Sequence, residues 1–424
     1  MENLNLQKIP LEKLNPAAYN PRLDLQPGDP MYEKLLASVE EFGYVDPIIW
    51  NQRTGNIVGG HQRLKVLKYL GHTEIEVIVL DIDELRERAL NVALNKVQGE
   101  FDPPKLAELL EDLEKKGFRV NITGFDAPEI DKLFQQYRRM QESKQAEDDY
   151  NLQAELDAIE NPLTQPGDIW MVGRHRLMCG DSTDVGQVAR LMDGRKARLA
   201  FTDPPWNVDY GGAAHPSWKQ RSIMNDKMSS EDFYGFLLAA FKSIASVCEP
   251  GTPIYVVMSA QEWPNVHAAL LEANFHWSST IIWAKDRLVI SRKDYNTQYE
   301  PIWYGWLEGA ARLCPLRDAQ QSDLWQFERP AKSPEHPTMK PVTLVARAIN
   351  NSSHFGDIIL DLFAGSGTTL IAAEQCERSS CLMELDPKYC DVIVKRAISF
   401  FGSDDSIFLL RNGEKLSYCQ VPDP

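Results

Sequence analysis

Asp203-Pro204-Pro205-Trp206 is the stretch of this chain whose residue types and spacing most directly suggest chemistry. It follows the apolar run Leu199 to Phe201, so a strand would deliver Asp203 at its carboxyl end. Open α/β sheets bind ligands just beyond the carboxyl ends of their strands. Two successive prolines remove two backbone donors and fix the local dihedrals, which leaves rigidly aimed carbonyls. Trp206 adds a flat apolar face. An exocyclic amine on a nucleobase is a poor nucleophile, because its lone pair is delocalised into the ring. Asp203 and the Pro204 carbonyl are suitable acceptors for its N–H groups. Localising the lone pair in this way permits in-line attack on a sulfonium methyl group. The aromatic face suits stacking on a base taken out of a duplex. Alone, the tetrad reads equally well as a proline-rich turn with a half-buried tryptophan.

A second stretch, DLFAGSGTTLIAAEQ at 361–375, follows the apolar run Ile358 to Leu362. Gly365 and Gly367 let a backbone approach a ligand closely. The helix start at Thr368 and Thr369 suits a carboxylate. About 20 residues on, the run Cys381 to Leu385 carries Glu384, an acid placed for ribose hydroxyls. A nicotinamide site is the rival. It lacks support, because the third glycine of GxGxxG is absent and Asp361 is not part of that fingerprint. A Walker A loop is excluded, since no Gly-Lys-Ser/Thr follows. The third stretch, HPTMKPVTLVARAI at 336–349, breaks the chain before a helix with Lys340 and Pro341 at its entry.

In this order the three stretches resemble the beta-type amino-methyltransferases of DNA, in which a DPPW/DPPY-type motif precedes a target-recognition region, an HPTxKP stretch and an FxGxGTT-type loop. GDIWMVGRHRLMCGDSTD (167–184), IIWAKD and YEPIWYGW (281–306) are similar to that family as well, so the resemblance covers about 240 residues. It implies a Rossmann-like fold and S-adenosyl-L-methionine as methyl donor. It assigns Asp203, Pro204, Pro205 and Trp206 to the target base. Asp361, Phe363, Gly365, Gly367, Thr368 and Glu384 fall to the cofactor pocket, with Lys340 near it. Residues of about 285–333 fall to target recognition, where Arg287, Arg292, Lys293, Arg312, Arg317, Arg329 and Lys332 suit contacts with DNA. Ser-Pro-Pro-aromatic tends to mark cytosine-N4 enzymes and Asp-Pro-Pro-aromatic adenine-N6 enzymes, so the tetrad favours adenine in double-stranded DNA. Cytosine-ring methylation needs a cysteine nucleophile in a Pro-Cys context. Cys314 instead precedes a proline outside any strand-end motif, so that chemistry is set aside.

GNIVGGHQRLKVLKYLG at 55–71, with KIPLEKLNPAAYNPR upstream, resembles the N-terminal domain of ParB-like proteins, related in fold to sulfiredoxin. That family usually carries two adjacent arginines where this chain has Gln62-Arg63. The departure puts nucleotide hydrolysis in doubt. Gly59, Gly60, His61 and Arg63 still suit a phosphate at a helix start. A partition-type regulator carrying an inert methyltransferase region is the alternative of another class.

These motifs need elements to hold them. Residues 1–98 alternate strand-like runs (Lys8 to Leu14, Pro47 to Trp50, Ile75 to Leu80) with helical ones (Tyr32 to Phe42, Gln62 to Leu70), a small α/β unit. Residues 99–162 read as helical and then acidic, with helices after Pro103 and over Ala127 to Met140, the latter capped by Asp126. Residues 163–410 alternate strands and helices, which argues a doubly wound, mostly parallel sheet. The tail from Asp404 has room for one more strand. The net charge of -16 speaks to solubility rather than to a local site, and acids outnumber bases about two to one between Glu100 and Glu160. Seven cysteines without metal-type spacing read as reduced and cytosolic, with no metal site. No apolar run reaches the roughly 18 residues of a membrane span. Hence we expect a cytoplasmic bacterial protein, of the kind that mobile elements and phages also encode, and the resemblance allows a homodimer.

Overall fold

The computed structural model describes residues 5–96, 101–118, 123–125, 129–130, 132–134, 137, 145–148, 150–207, 227–289, 294–316, 321–327 and 339–422. The chain divides into two units, Met1–Arg139 and Met140–Pro424.

In the first unit the elements run β1 (Leu6–Pro10), β2 (Asn15–Pro16), α1 (Pro30–Phe42), β3 (Ile48–Asn51), β4 (Asn56–Gly59), α2 (His61–Tyr69), β5 (Glu74–Leu80), α3 (Glu84–Lys96) and α4 (Pro103–Lys115). The strands form one sheet in the order β1-β5-β3-β4-β2. Alternation in β5 turns Ile75, Val77 and Val79 inward, where they meet Ile48, Ile57, Leu64 and Leu67. The strand expected over Lys8 to Leu14 stops at Pro10. A 3₁₀ turn over Leu11–Lys13 follows, and it sends both Leu11 and Leu14 into that core. Asp102 caps α4 by accepting from the Lys105 amide at 3.4 Å, and the two prolines occupy its first turn, where no amide partner is needed. The helix expected over Ala127 to Met140 lies largely outside the described residues.

The second unit contains α5 (Leu152–Ala158), β6 (Ile169–Val172), β7 (His175–Cys179), α6 (Val185–Met192), β8 (Leu199–Thr202), α7 (Ser230–Val247), β9 (Pro253–Val257), α8 (Trp263–Glu272), β10 (Phe275–Val289), β11 (Thr297–Leu307), β12 (Leu324–Gln326), α9 (Val342–Ser352), β13 (Ile358–Asp361), α10 (Thr368–Gln375), β14 (Ser379–Glu384), α11 (Pro387–Phe401), β15 (Ile407–Arg411) and β16 (Glu414–Ser417). One sheet runs β12-β10-β11-β9-β8-β13-β14-β7-β6-β15-β16. Alternate side chains of a strand point to opposite faces. Leu199, Phe201 and Ile359 therefore pack with α9, α10 and α11, while Ala200 and Leu360 pack with α6, α7 and α8. This is the doubly wound arrangement expected from the alternating pattern.

The sheet is more mixed than expected. The parallel pairs β9-β8, β8-β13, β13-β14 and β14-β7 form its middle. Antiparallel hairpins extend both sides: β6-β7, turning at Gly173, and β10-β11. The tail supplies a third hairpin, β15-β16, which pairs with β6. The acidic stretch also contributes a helix. Asn151 caps α5, and Leu152 and Ile159 pack on Val392 of α11. Among the described residues no helix is long and apolar enough to cross a membrane.

Candidate active site

β8 and β13 are neighbours in the parallel middle of the sheet, so their carboxyl ends place Asp203 and the 361–367 turn side by side. The link is direct: the Thr202 hydroxyl donates to Asp361 at 3.0 Å. Asp361 also accepts from the Thr369 hydroxyl at 2.6 Å and the Phe363 amide at 3.1 Å. Burial pushes its carboxyl up to about 6 against these donors. Expected as a cofactor ligand, Asp361 instead has its oxygens engaged by protein groups and ties β8, the turn and α10 together.

The glycine turn fits a bound ligand. Gly365 has φ +52, and a Cβ built there would find only the Phe363 carbonyl, at 4.0 Å, so one side of the loop is open. Gly367 has φ +81 and is the residue before α10. At the end of β14, Glu384 accepts from the Gly365 amide at 2.8 Å and the Asp386 amide at 3.0 Å. Burial raises its carboxyl to about 7 against these amides. A carboxylate of this kind, beside a loop open at Gly365, is a suitable acceptor for ribose hydroxyls. Arg396 of α11 braces the loop from behind, donating to the Ser366 carbonyl at 2.9 Å and the Thr368 hydroxyl at 3.2 Å.

Around Asp203 four charged groups meet. Its Oδ2 lies 2.7 Å from the Lys340 ammonium, and its Oδ1 accepts from the Trp206 indole N–H at 3.0 Å. The ammonium is also 3.2 Å from Glu300 Oε2 and 4.9 Å from the centre of the Trp206 ring. Glu300 in turn pairs with Lys285 through Oε1. Burial raises the Asp203 carboxyl above the ordinary aspartate value; Lys340 draws it down and Glu300 pushes it up. Burial draws the Lys340 ammonium down, but Asp203 and Glu300 outweigh it, so it holds its proton above the ordinary lysine value. Past the tetrad, Asn207 adopts φ +54, and its side chain bonds the Met228 amide at 2.7 Å and carbonyl at 3.2 Å.

Lys340, expected near the cofactor, spans both halves. Its backbone carbonyl accepts from Thr368 at 3.3 Å, while its ammonium reaches Asp203. Arg287 lies in β10. Arg292, Lys293, Arg317, Arg329 and Lys332, with His336 to Thr338, lie outside the described residues. Arg312 is separated from the tetrad. It stacks 5.1 Å over Trp306, which pairs with Pro253 at the start of β9, whereas Asp203 follows the end of the parallel neighbour β8. Sequence reasoning missed Glu300, Lys285 and Arg396. For the first two the signal was a charge set inside an apolar strand, where an unpaired charge is too costly to keep.

In the first unit Gly59, Gly60, His61 and Arg63 do come together at the start of α2. Gly60 is left-handed at φ +95, and a Cβ there would stand 2.9 Å from Ile48. Arg63 is already paired with Asp46. His61 accepts the Ala17 amide at 3.3 Å, and burial pushes its pKa down to about 4, so it serves as a neutral acceptor.

Three family models match the chain: the ParB N-terminal domain over residues 1–97, the ParB-methyltransferase HTH domain over 104–166, and DNA methylase (N6_N4_Mtase) over 197–395. The HTH match falls on the stretch expected as helical and acidic. The chain is similar to Type II methyltransferase M.HpaI of Haemophilus parainfluenzae, 24% identical over 55% of this chain and 77% of the relative. It is similar to DNA adenine methyltransferase YhdJ of Escherichia coli (strain K12), 26% identical over 47% of this chain and 75% of the relative. The solved M1.HpyAVI-SAM complex matches 52% of this chain and 97% of that one, at 18% identity and a TM-score of 0.41. By the family models, region 197–395 is an N6/N4 DNA methylase domain, of a kind dependent on S-adenosyl-L-methionine, and it follows a ParB N-terminal domain over residues 1–97.

Proposed function

We propose that the enzyme methylates the N6 amino group of adenine at specific sites in double-stranded DNA. The observation that carries this is the Asp203 carboxylate at the end of β8, steadied by Lys340 and Trp206 beside the glycine turn. Support for adenine comes from the aspartate of the tetrad and from a relative whose name specifies adenine. When bound, S-adenosyl-L-methionine would supply a methyl group on a sulfonium, leaving as a neutral thioether once the methyl is transferred. Asp203 and the Pro204 carbonyl accept the two amine N–H groups and localise the nitrogen lone pair. One of those protons then leaves through Asp203 to solvent, so the product is a neutral secondary amine. Trp206 stacks on the extruded base, which offsets about 1–3 kcal/mol of the unstacking cost. Phe363, Gly365, Gly367, Thr368 and Glu384 would hold the donor, with Glu384 facing its ribose.

The test is transfer of a labelled methyl group to duplex DNA, followed by base analysis. We expect N6-methyladenine, and about 100–1000-fold loss of kcat in Asp203→Ala, the range for removing a preorganised catalytic group. Label in N4-methylcytosine, or none in any DNA, would overturn the reading.

A further inference from the structure

Three charged side chains stand in line behind Asp203: Lys340, Glu300 and Lys285. Each is almost entirely buried, at 7%, 5% and 7% exposure, while Asp203 keeps 22%. Burying an ion costs several kcal/mol, and well-packed apolar residues in such places are commonly neutral or stabilising. Stability alone therefore gives little reason for the row. It also ends on the one carboxylate that must meet the substrate. Its members come from separate elements: Asp203 from the end of β8, Lys340 from the entry of α9, Glu300 from β11 and Lys285 from β10.

Paired strands carry the row. Trp283 of β10 pairs with Glu300 of β11, and Ala284 with Tyr299, so Lys285 lies two residues along the strand from Glu300's own partner. The Gln298 side chain fixes the Lys285 carbonyl at 3.0 Å, just where the β10-β11 register shifts. β11 is held to β9, the neighbour of the site strand β8, by its ladder and by the Met258 amide on the Pro301 carbonyl at 3.2 Å. Glu300 is thus anchored through β11 and shares the Lys340 ammonium with Asp203.

We propose that Glu300 and Lys285 are positioning residues for methyl transfer, which act on Asp203 by dividing and steering the charge of Lys340. This deepens the adenine reading above and rests on it. An amine N–H needs an acceptor that is ionised yet not consumed by its own counter-ion. Lys340 alone against Asp203 would supply the ionisation and consume the acceptor. Glu300 draws the ammonium part of the way back, and Lys285 limits how strongly Glu300 does so. With all four ionised, the two cations and two anions sum to zero, so no member is left as an unmatched buried charge. Among the described residues, the charged groups that act on Asp203 are Lys340 from the α9 entry, Glu300 from β11 and the neighbouring Asp361 at the end of β13; the Trp206 indole donates to it from the tetrad itself.

The two positioning residues differ in sign, and that gives them opposite signatures. Glu300→Gln leaves the ammonium wholly to Asp203, which then keeps its charge to lower pH. Lys285→Met frees Glu300 to pull the ammonium away, and Asp203 then picks up a proton at higher pH. The experiment is kcat and KM for duplex DNA and for S-adenosyl-L-methionine across pH 5 to 10, in the full-length wild type, Glu300→Gln, Lys285→Met and Lys285→Arg. We expect kcat about 10–100-fold lower in the first two variants, the size seen when groups that orient a catalytic group are removed, with KM little changed. The acid limb of kcat should move down in Glu300→Gln and up in Lys285→Met, and Lys285→Arg should restore the wild-type profile. Acid limbs that coincide with the wild type, or that move in the same direction, would overturn the proposal. Should Glu300→Gln fail to fold, the Lys285→Met and Lys285→Arg pair decides alone. A wild type that labels no adenine defeats the functional reading instead, a result distinct from unchanged acid limbs in an active enzyme.

Discussion

Asp148 stands outside every methylase motif, yet its replacement should be among the costliest in the second unit. Its carboxylate grips Arg396 with two bonds of 2.6 Å each, and the Arg396 side chain is 1% exposed. Asp148→Asn keeps the shape and removes the charge. Among the described residues, the guanidinium is then left with neutral oxygens: the new amide's carbonyl and those of Ser366 and Thr368. Removing one partner of a buried pair costs about 3–5 kcal/mol, and because Asp148 retains 15% exposure we expect about 3 kcal/mol. The same guanidinium braces the glycine turn, so affinity for S-adenosyl-L-methionine should fall about tenfold, or about 1.4 kcal/mol. Urea unfolding gives the first quantity and titration calorimetry the second. Arg396→Met in the same chain removes the stranded charge, so the double variant should be more stable than the sum of the two single losses. The reasoning fails if Asp148→Asn unfolds within about 0.5 kcal/mol of the wild type, the range of ordinary surface changes, or if the two substitutions simply add.

Two further outcomes follow from the cofactor half. Gly367→Ala should cost about 2–5 kcal/mol, since the residue is left-handed at φ +81 and the new Cβ would stand 2.9 Å from Ile393; a thermal melt within 2 °C of the wild type would contradict this. Glu384 has its folded-state pKa raised to about 7, so folding favours the protonated acid and this contribution to stability is lost as pH rises towards 7. Ribose hydroxyls donate to the ionised form, so cofactor affinity should run the other way, rising about tenfold from pH 6 to pH 8. A slope that persists in Glu384→Gln would assign it to another group.

How much of this was legible depended on whether a residue's role is local or long-range. The tetrad, the glycine turn and Glu384 could be read because each sits at a strand end, where sequence fixes geometry over a few residues. The doubly wound core was legible for the same reason, through the alternation of Leu199, Ala200 and Phe201. The hairpins at both sides of the sheet were not, because strand direction is set by pairing across the sheet rather than by pattern. Glu300 and Lys285 lay within quoted stretches, but their partnership depends on a pairing register that sequence does not state. Most obscure was Glu147. It bonds the Val342 amide at 2.9 Å and the Thr343 amide at 3.1 Å, and so caps α9 from 195 residues away, where Pro341 has no side-chain acceptor to offer.

The indole bond to Asp203 bears on turnover. With the tetrad closed on itself, an incoming base competes with Trp206 Nε1–H for the Oδ1 acceptor. Adenine arrives with two N–H groups and can win that contest while still reaching the Pro204 carbonyl. The methylated product retains only one, so it holds two acceptors less well than the substrate did. Closure of the indole onto Asp203 should then favour ejection of the product, and we expect the enzyme to resist inhibition by the DNA it has just modified. Trp206→Phe keeps a stacking face but removes the donor. It should therefore be inhibited more strongly by N6-methyladenine-containing duplex than the wild type, and equal inhibition constants would remove the indole from this role.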